Sequence, residues 1–373
     1  MKITGINAYP ISFKPGKPFA NSGEWHTSRA TTLVKISTDE GLVGWGEAYG
    51  PPLGISNVIE KFLRDKLIGE DPLKLEYFWY KLQVKKGIPK GAIGGVDIAL
   101  WDLKAKYLNV PVYELLGGKF IDAIVPYATG FFYSEEKEDS TYFIEKEAQQ
   151  VKDSGYKSLK IKIGFGIERD IQRLRKVREI VGDTVNIMVD ANQAYNVLSC
   201  LHLAPYLSEL NVGWLEEPIP WTNFQGYKEL KSKLNIAIAA GESEITYQGF
   251  IEAISNRIVD VIQPDLAGSG GLTIVRKIAV LAEAFQVEFQ PHVFGTVICL
   301  PAAVQLMTSL PNNQSWCTFP RAVTLEWDTT PNDMIKDILM EPLKLTNGVL
   351  NVTDKVGLGV EINEEAIKHY LMG

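Results

Sequence analysis

The sequence predicts an α/β protein in which a (β/α) barrel sits beside a smaller domain, and three observations predict it. The chain has 373 residues, more than one ordinary domain holds but suited to a large barrel with an addition. From about residue 122, short β-branched runs alternate eight times with amphipathic stretches of a dozen or so residues. Within that region acidic residues follow three successive apolar runs: Asp190 in NIMVDAN, Glu216 in VGWLEEP and Glu242 in IAIAAGES. They lie 26 residues apart in both intervals, so each occupies the same place in a repeating strand–helix unit.

The elements follow in order. Residues 1–121 form the first expected domain, opening on a strand meander at 3–13, 30–37 and 41–48. Between its first two strands lies the polar loop PGKPFANSGEWHTSR, which reads equally as a mobile surface loop or as a lid over a substrate bearing Trp25 and His26. A helical region then runs from 56 to 116, where Val96, Ala99, Leu100 and Leu103 fall at spacings of three and four, and Gly117 and Gly118 end it. Residues 122–328 are the expected barrel, with strands at 124–128, 158–163, 186–189, 212–215, 236–240, 259–263, 288–291 and 318–325. The tail, 329–373, contains VLNVTDKVGLGVEI, a turn-rich strand pair expected to fold back onto the first domain.

Composition excludes several classes. Lys plus Arg number 38 against 45 Asp plus Glu, a net charge of −7 with no basic stripe, so nucleic acid is not an expected partner. Apolar residues at 46% and charged residues at 22% suit a chain that is folded throughout. No stretch approaches the roughly 18 apolar residues of a membrane span, and MKITGINAYPISF reads as a strand, not as a signal segment. Cys200, Cys299 and Cys317 lack C-x-x-C spacing and cannot all pair, which favours a reducing, cytoplasmic setting.

At a barrel mouth, Asp190, Glu216 and Glu242 would converge. Three carboxylates without basic partners repel, and one would have to take up a proton. A hard divalent cation removes the conflict, and oxygen ligands suit magnesium better than zinc. The competing account makes each acid a helix cap or a partner of a surface lysine, but three in phase weigh against it. Glu217 and Glu244 are expected to point elsewhere or to support the site from behind.

One unit earlier, YKSLKIKIG places Lys160 and Lys162 on one face of a strand. On an edge strand they would be a solvated face; inside a barrel they are buried ammonium groups whose mutual repulsion, together with the metal, should lower the pKa of Lys162 and make it a base. Across the barrel, Asp265 in VIQPDLAG and His292 in VEFQPHVFG lie 27 residues apart. That phase sets a carboxylate beside the imidazole, orienting it and raising its basicity. His202 and His369 have no such context. The run GSGG at 268–271 fits neither phosphate-loop pattern and reads as a tight turn.

Together these motifs resemble the enolase superfamily, specifically its mandelate racemase branch, over nearly the whole chain. The resemblance rests on K-x-K at Lys160 and Lys162, the triad Asp190, Glu216 and Glu242, the Asp265 and His292 dyad, Asn192 after the first acid, and the strings WLEEP, ALWDLKAK and ELLGG. It implies a modified TIM barrel under an α+β capping domain formed by the N-terminal region and the C-terminal tail, a Mg2+ cofactor and a homo-oligomer. It also implies that Glu326, in TLEWDTT, bonds the substrate carboxylate, with Asn192 as a further contact; Trp25 and His26 are expected substrate contacts on the lid reading of their loop. The long tail is more similar to that of sugar acid dehydratases, such as those acting on arabinonate, gluconate or galactonate. The expected function is therefore removal of the C2 proton of a small-molecule sugar acid, by Lys162 or His292 according to the configuration at C2, and loss of its 3-hydroxyl. A racemase or epimerase using the same bases is the alternative, and a non-catalytic metal or sugar acid binding protein a third.

Overall fold

A computed structural model of the chain describes residues 1–83, 87–134, 140–311 and 322–373, with the side chains of 140–143 outside that set. Strands β1 (Ile3–Phe13), β2 (Phe19–Ala20), β3 (Trp25–His26), β4 (Arg29–Thr38) and β5 (Val43–Ala48) open the chain. β1, β4 and β5 form an antiparallel meander whose buried faces carry Ile3, Ile6, Ile11, Leu33, Val34 and Ile36. The polar loop is neither free nor unstructured. β2 and β3 pair as a hairpin, Ser22 Oγ donates to the Ala191 carbonyl at 2.7 Å, and Ala20 exchanges backbone hydrogen bonds with Tyr133. These bonds seat the hairpin on the barrel mouth.

The helix Lys90–Leu108 is the spine of the capping domain and is buried on nearly every side. Gly94 lets it approach the barrel, because a methyl group there would overlap the Ala267 carbonyl. Asp102 accepts from the amides of Trp45 and Leu358, tying the meander and the tail to the same helix.

The barrel strands are β7 (Tyr127–Gly130), β8 (Ser158–Lys162), β9 (Asn186–Asp190), β10 (Val212–Glu216), β11 (Ala237–Ala240), β12 (Val261–Ile262), β13 (Glu288–Phe289) and β14 (Glu326–Asp328), following the short β6 (Ala123–Ile124). They form one curled parallel sheet in chain order, with β14 returning to pair with β7. Among the described residues the ladder does not continue from β13 to β14. Two side-chain bonds cross that seam, Gln290 Nε2 to Thr324 Oγ1 at 2.7 Å and the Val293 amide to Glu326 at 3.1 Å. Tyr127, Met188, Trp214, Ala239 and Val261 pack together as an inner cluster, distinct from the main core that includes Leu159, Ile161, Ile187, Val189, Leu215 and Ile262. That division follows the two-residue alternation of a strand.

Two expected strands are corrected. The run 124–128 splits at Pro126, which has no amide to donate: Ala123–Ile124 pairs outward with β15 (Leu350–Asn351), and Tyr127–Gly130 joins the barrel. The last barrel strand is Glu326–Asp328, not 318–325, so Glu326 lies in the strand and not after it. Val323 and Leu325 only accept backbone bonds from Val125 and Tyr127, and residues 318–321, like Cys317, lie outside the described residues. The tail ends in the helix Glu364–Tyr370, and Met372 donates to the Pro10 carbonyl of β1. No described helix is long and apolar enough to cross a membrane.

Candidate active site

Parallel register gathers the acids. Lys162 stands opposite Asp190, and Asp190 opposite Glu216, at the same ends of β8, β9 and β10; Glu242 follows β11 by two residues. One oxygen from each of Asp190, Glu216 and Glu242 lies within 4.8 Å of the others, with the first two buried and the third half-buried. An all-oxygen donor set of that span fits a hard divalent cation. Burial and the crowding of Asp190, Glu326 and Glu242 push Glu216 up to about 7, against the pull of Lys160.

The lysines correct one expectation. Lys160 Nζ lies 2.5 Å from Glu216 Oε1 and 2.9 Å from Glu326 Oε1, and Lys162 Nζ lies 2.5 Å from Asp190 Oδ2. The acids therefore do have basic partners. Burial works against both ammonium charges, but Glu216 and Glu326 around Lys160, and Asp190 beside Lys162, outweigh it and raise both pKa values, where mutual repulsion and a metal were expected to lower that of Lys162. Repulsion from Lys160 still opposes the proton on Lys162. The same contacts hold Glu326 well below the usual carboxylate range despite its burial.

On the other flank, His292 Nδ1 meets Asp265 Oδ2 at 2.7 Å, and Nε2 lies 3.3 Å from Glu242 Oε2. Burial would discharge the imidazole, but Glu242 and Asp265 override it and push its pKa up to about 10, the direction expected from the dyad. Asp265 is itself fixed by the Gly268 amide at 2.5 Å. The GSGG turn thus cradles a side chain of the site, and the helix start behind it is capped by Asp97, which accepts from the Thr273 amide and hydroxyl at 2.9 and 2.6 Å.

The remaining predicted residues divide. Asn192 holds a left-handed φ of 40°, donates its amide to Asp190 Oδ1 at 2.8 Å, and buries its side-chain oxygen without a described partner. His26 is brought to the lysine flank, packing near Phe132 and Phe294, the two rings that lie 5.3 and 5.9 Å from Lys162 Nζ. Trp25 is not: it is exposed and packs on Tyr133, since alternation along β3 turns it from His26. Glu217 accepts from Ser243 and Gln193, and Glu244 from Trp221 and Thr246, so neither joins the triad. Sequence reasoning missed Phe132 and Phe294, and also Trp214 and Gln263, which both donate to Glu216 Oε2. Trp214 and Gln263 carried a signal: each stands two positions before a strand-end acid and so faces inward with it.

A barrel of this kind, with acids on consecutive strand ends between a lysine pair and an Asp–His dyad, defines a class of metal-assisted enzymes. Two family models match the chain, "Mandelate racemase / muconate lactonizing enzyme, N-terminal domain" over residues 12–117 and "Enolase C-terminal domain-like" over 144–366. The chain belongs to the enolase superfamily. It is 34% identical to the D-galactarolactone cycloisomerase of Agrobacterium fabrum, covering 100% of this chain and 99% of that one. It is also 34% identical to the arabinonate dehydratase of Saccharolobus solfataricus, covering 90% and 89%. Among solved structures, the 3,6-anhydro-D-galactonate cycloisomerase of Zobellia galactanivorans superposes over the full length of both chains with a TM-score of 0.89 at 35% identity. A racemase from Streptomyces coelicolor A3(2) with bound magnesium gives 0.87 at 25% identity, covering 99% of this chain and 100% of that one.

Proposed function

We propose that the protein is a Mg2+-dependent sugar acid dehydratase, which removes the C2 proton of an aldonate and eliminates the 3-hydroxyl to give a 2-keto-3-deoxy acid. One observation carries the reading: proton-carrying groups, Lys162 and His292, flank a carboxylate trio from opposite sides. Asp190, Glu216 and Glu242 would hold the ion, which when bound withdraws charge from the substrate carboxylate and so acidifies the neighbouring C–H. Lys160, 2.9 Å from Glu326, would donate to the carboxylate oxygens as charge develops on them, and Glu326, an anion beside Lys160 in the free protein, would bond them only after taking up a proton as the substrate binds.

His292, whose proton is held up to about pKa 10, is the acid that delivers it to the departing 3-oxygen. Asp265 keeps the ring in place while it does so. Removal of the C2 proton falls to Lys162: in the free protein Asp190 holds the proton on it, and a cation bound by Asp190 would offset that pull and leave Lys160 to favour the neutral amine.

A ring-opening version of the same elimination, in which the leaving oxygen stays tethered, is favoured by the full-length similarity to two cycloisomerases. Mass spectrometry of products from a library of open-chain and lactone or anhydro sugar acids with Mg2+ tests both readings. Dehydration yields a keto acid one water lighter, and ring opening an isomeric keto acid. Solvent deuterium at C2 with no keto product would replace both with racemisation.

A further inference from the structure

The three acids of the trio are not held alike. Asp190 Oδ1 is taken by the Asn192 amide at 2.8 Å, which leaves Oδ2 facing the lysines. Glu216 Oε2 is taken twice from inside the barrel, by Trp214 Nε1 at 3.1 Å and Gln263 Nε2 at 2.8 Å, which leaves Oε1 facing Lys160. Asp190, Glu216, Trp214 and Gln263 are all buried. Glu242, with 21% of its side chain exposed, has His292 Nε2 as its partner through Oε2.

We propose that Trp214 and Gln263 are positioning residues that make Glu216 a one-oxygen ligand and so set the site's preference for a small octahedral cation. The inference rests on the proposed metal role of the trio. Mg2+ takes six ligands in near-ideal octahedral geometry, whereas Ca2+ accepts six to eight and welcomes a two-oxygen carboxylate. A Glu216 with both oxygens free could turn to chelate the larger ion. With Oε2 donated to twice, turning would strand an indole N–H and an amide N–H in a dry interior, and an unmet buried donor is costly. Trp214 also packs at 5.5 Å on Tyr127, which fixes the direction from which its N–H reaches the acid.

The test is titration calorimetry of Mg2+ and Ca2+, without substrate, on the wild type, on Trp214→Phe and Gln263→Met singly, and on the double variant, each checked for folding by circular dichroism in EDTA. The proposal expects the preference for Mg2+ over Ca2+ to fall about tenfold or more in the double variant, with smaller falls in the singles. An unchanged ratio in folded variants overturns it. Should the double variant not fold, the single variants decide by the same ratio. A wild type that binds neither ion overturns the metal reading itself, a result distinct from a wild type that binds Mg2+ and variants that keep its selectivity.

Discussion

The two flanks of the mouth are built differently. Lys160 and Lys162 project from the middle and end of a five-residue strand hydrogen-bonded on both sides, and salt bridges to three carboxylates surround them. His292 follows a two-residue strand at the seam where the ladder stops, and it is held by Asp265, Glu242 and a turn packed against the capping domain. The lysine flank is fixed by ladders on both sides, while the histidine flank has a single backbone bridge, from His292 to Asp265, and hydrogen bonds from loops. Changes to the first should therefore leave the strand in place and act directly on the chemistry, at some cost in stability from the buried carboxylate left unpaired, and changes behind the second should act through the ring's orientation and pKa.

The largest effect to break this contrast is at Lys162. Lys162→Ala should lower kcat by about 10⁴-fold, the upper range for loss of a general base, with folding and Mg2+ binding retained by circular dichroism and calorimetry. A smaller loss is expected behind the histidine: Asp265→Asn should cost about 10- to 100-fold in kcat and move the alkaline limb of the pH–rate profile to lower pH, because one of the groups raising His292 to about 10 is gone. The sign for stability follows. His292 in the folded metal-free protein titrates above its ordinary 6.5, so its stabilisation is complete below about pH 6.5 and is lost as pH rises toward 10. Thermal melts in EDTA across that window should fall with pH, and less so in Asp265→Asn. The smallest effect lies farthest back: Asp97→Ala strips the cap from the helix Leu272–Ala284 and should cost about 1–3 kcal/mol of stability, read by denaturant melts.

Much of this was legible because chemistry and repeat share a phase. Asp190, Glu216, Glu242, Asp265 and His292 recur at one point of a strand–helix unit, so spacing alone places them on one rim. Lys160 and Lys162 were legible from strand alternation. Trp25 was not, because a two-residue hairpin strand has no pattern long enough to say which of two aromatic residues turns inward. The direction of the lysine pKa shifts was also missed, since it depends on 2.5 Å contacts across strands and not on residue order. The start of β14 escaped because apolar residues precede it without ladder pairing, and Glu326 reads as the end of their run.

The most direct measurement is proton NMR of His292→Asn in D2O with Mg2+ and a sugar acid turned over by the wild type. If Lys162 takes the C2 proton and His292 serves the leaving oxygen, the C2 signal should wash out with deuterium while no keto acid accumulates. Keto acid formed at the wild-type rate would contradict the account.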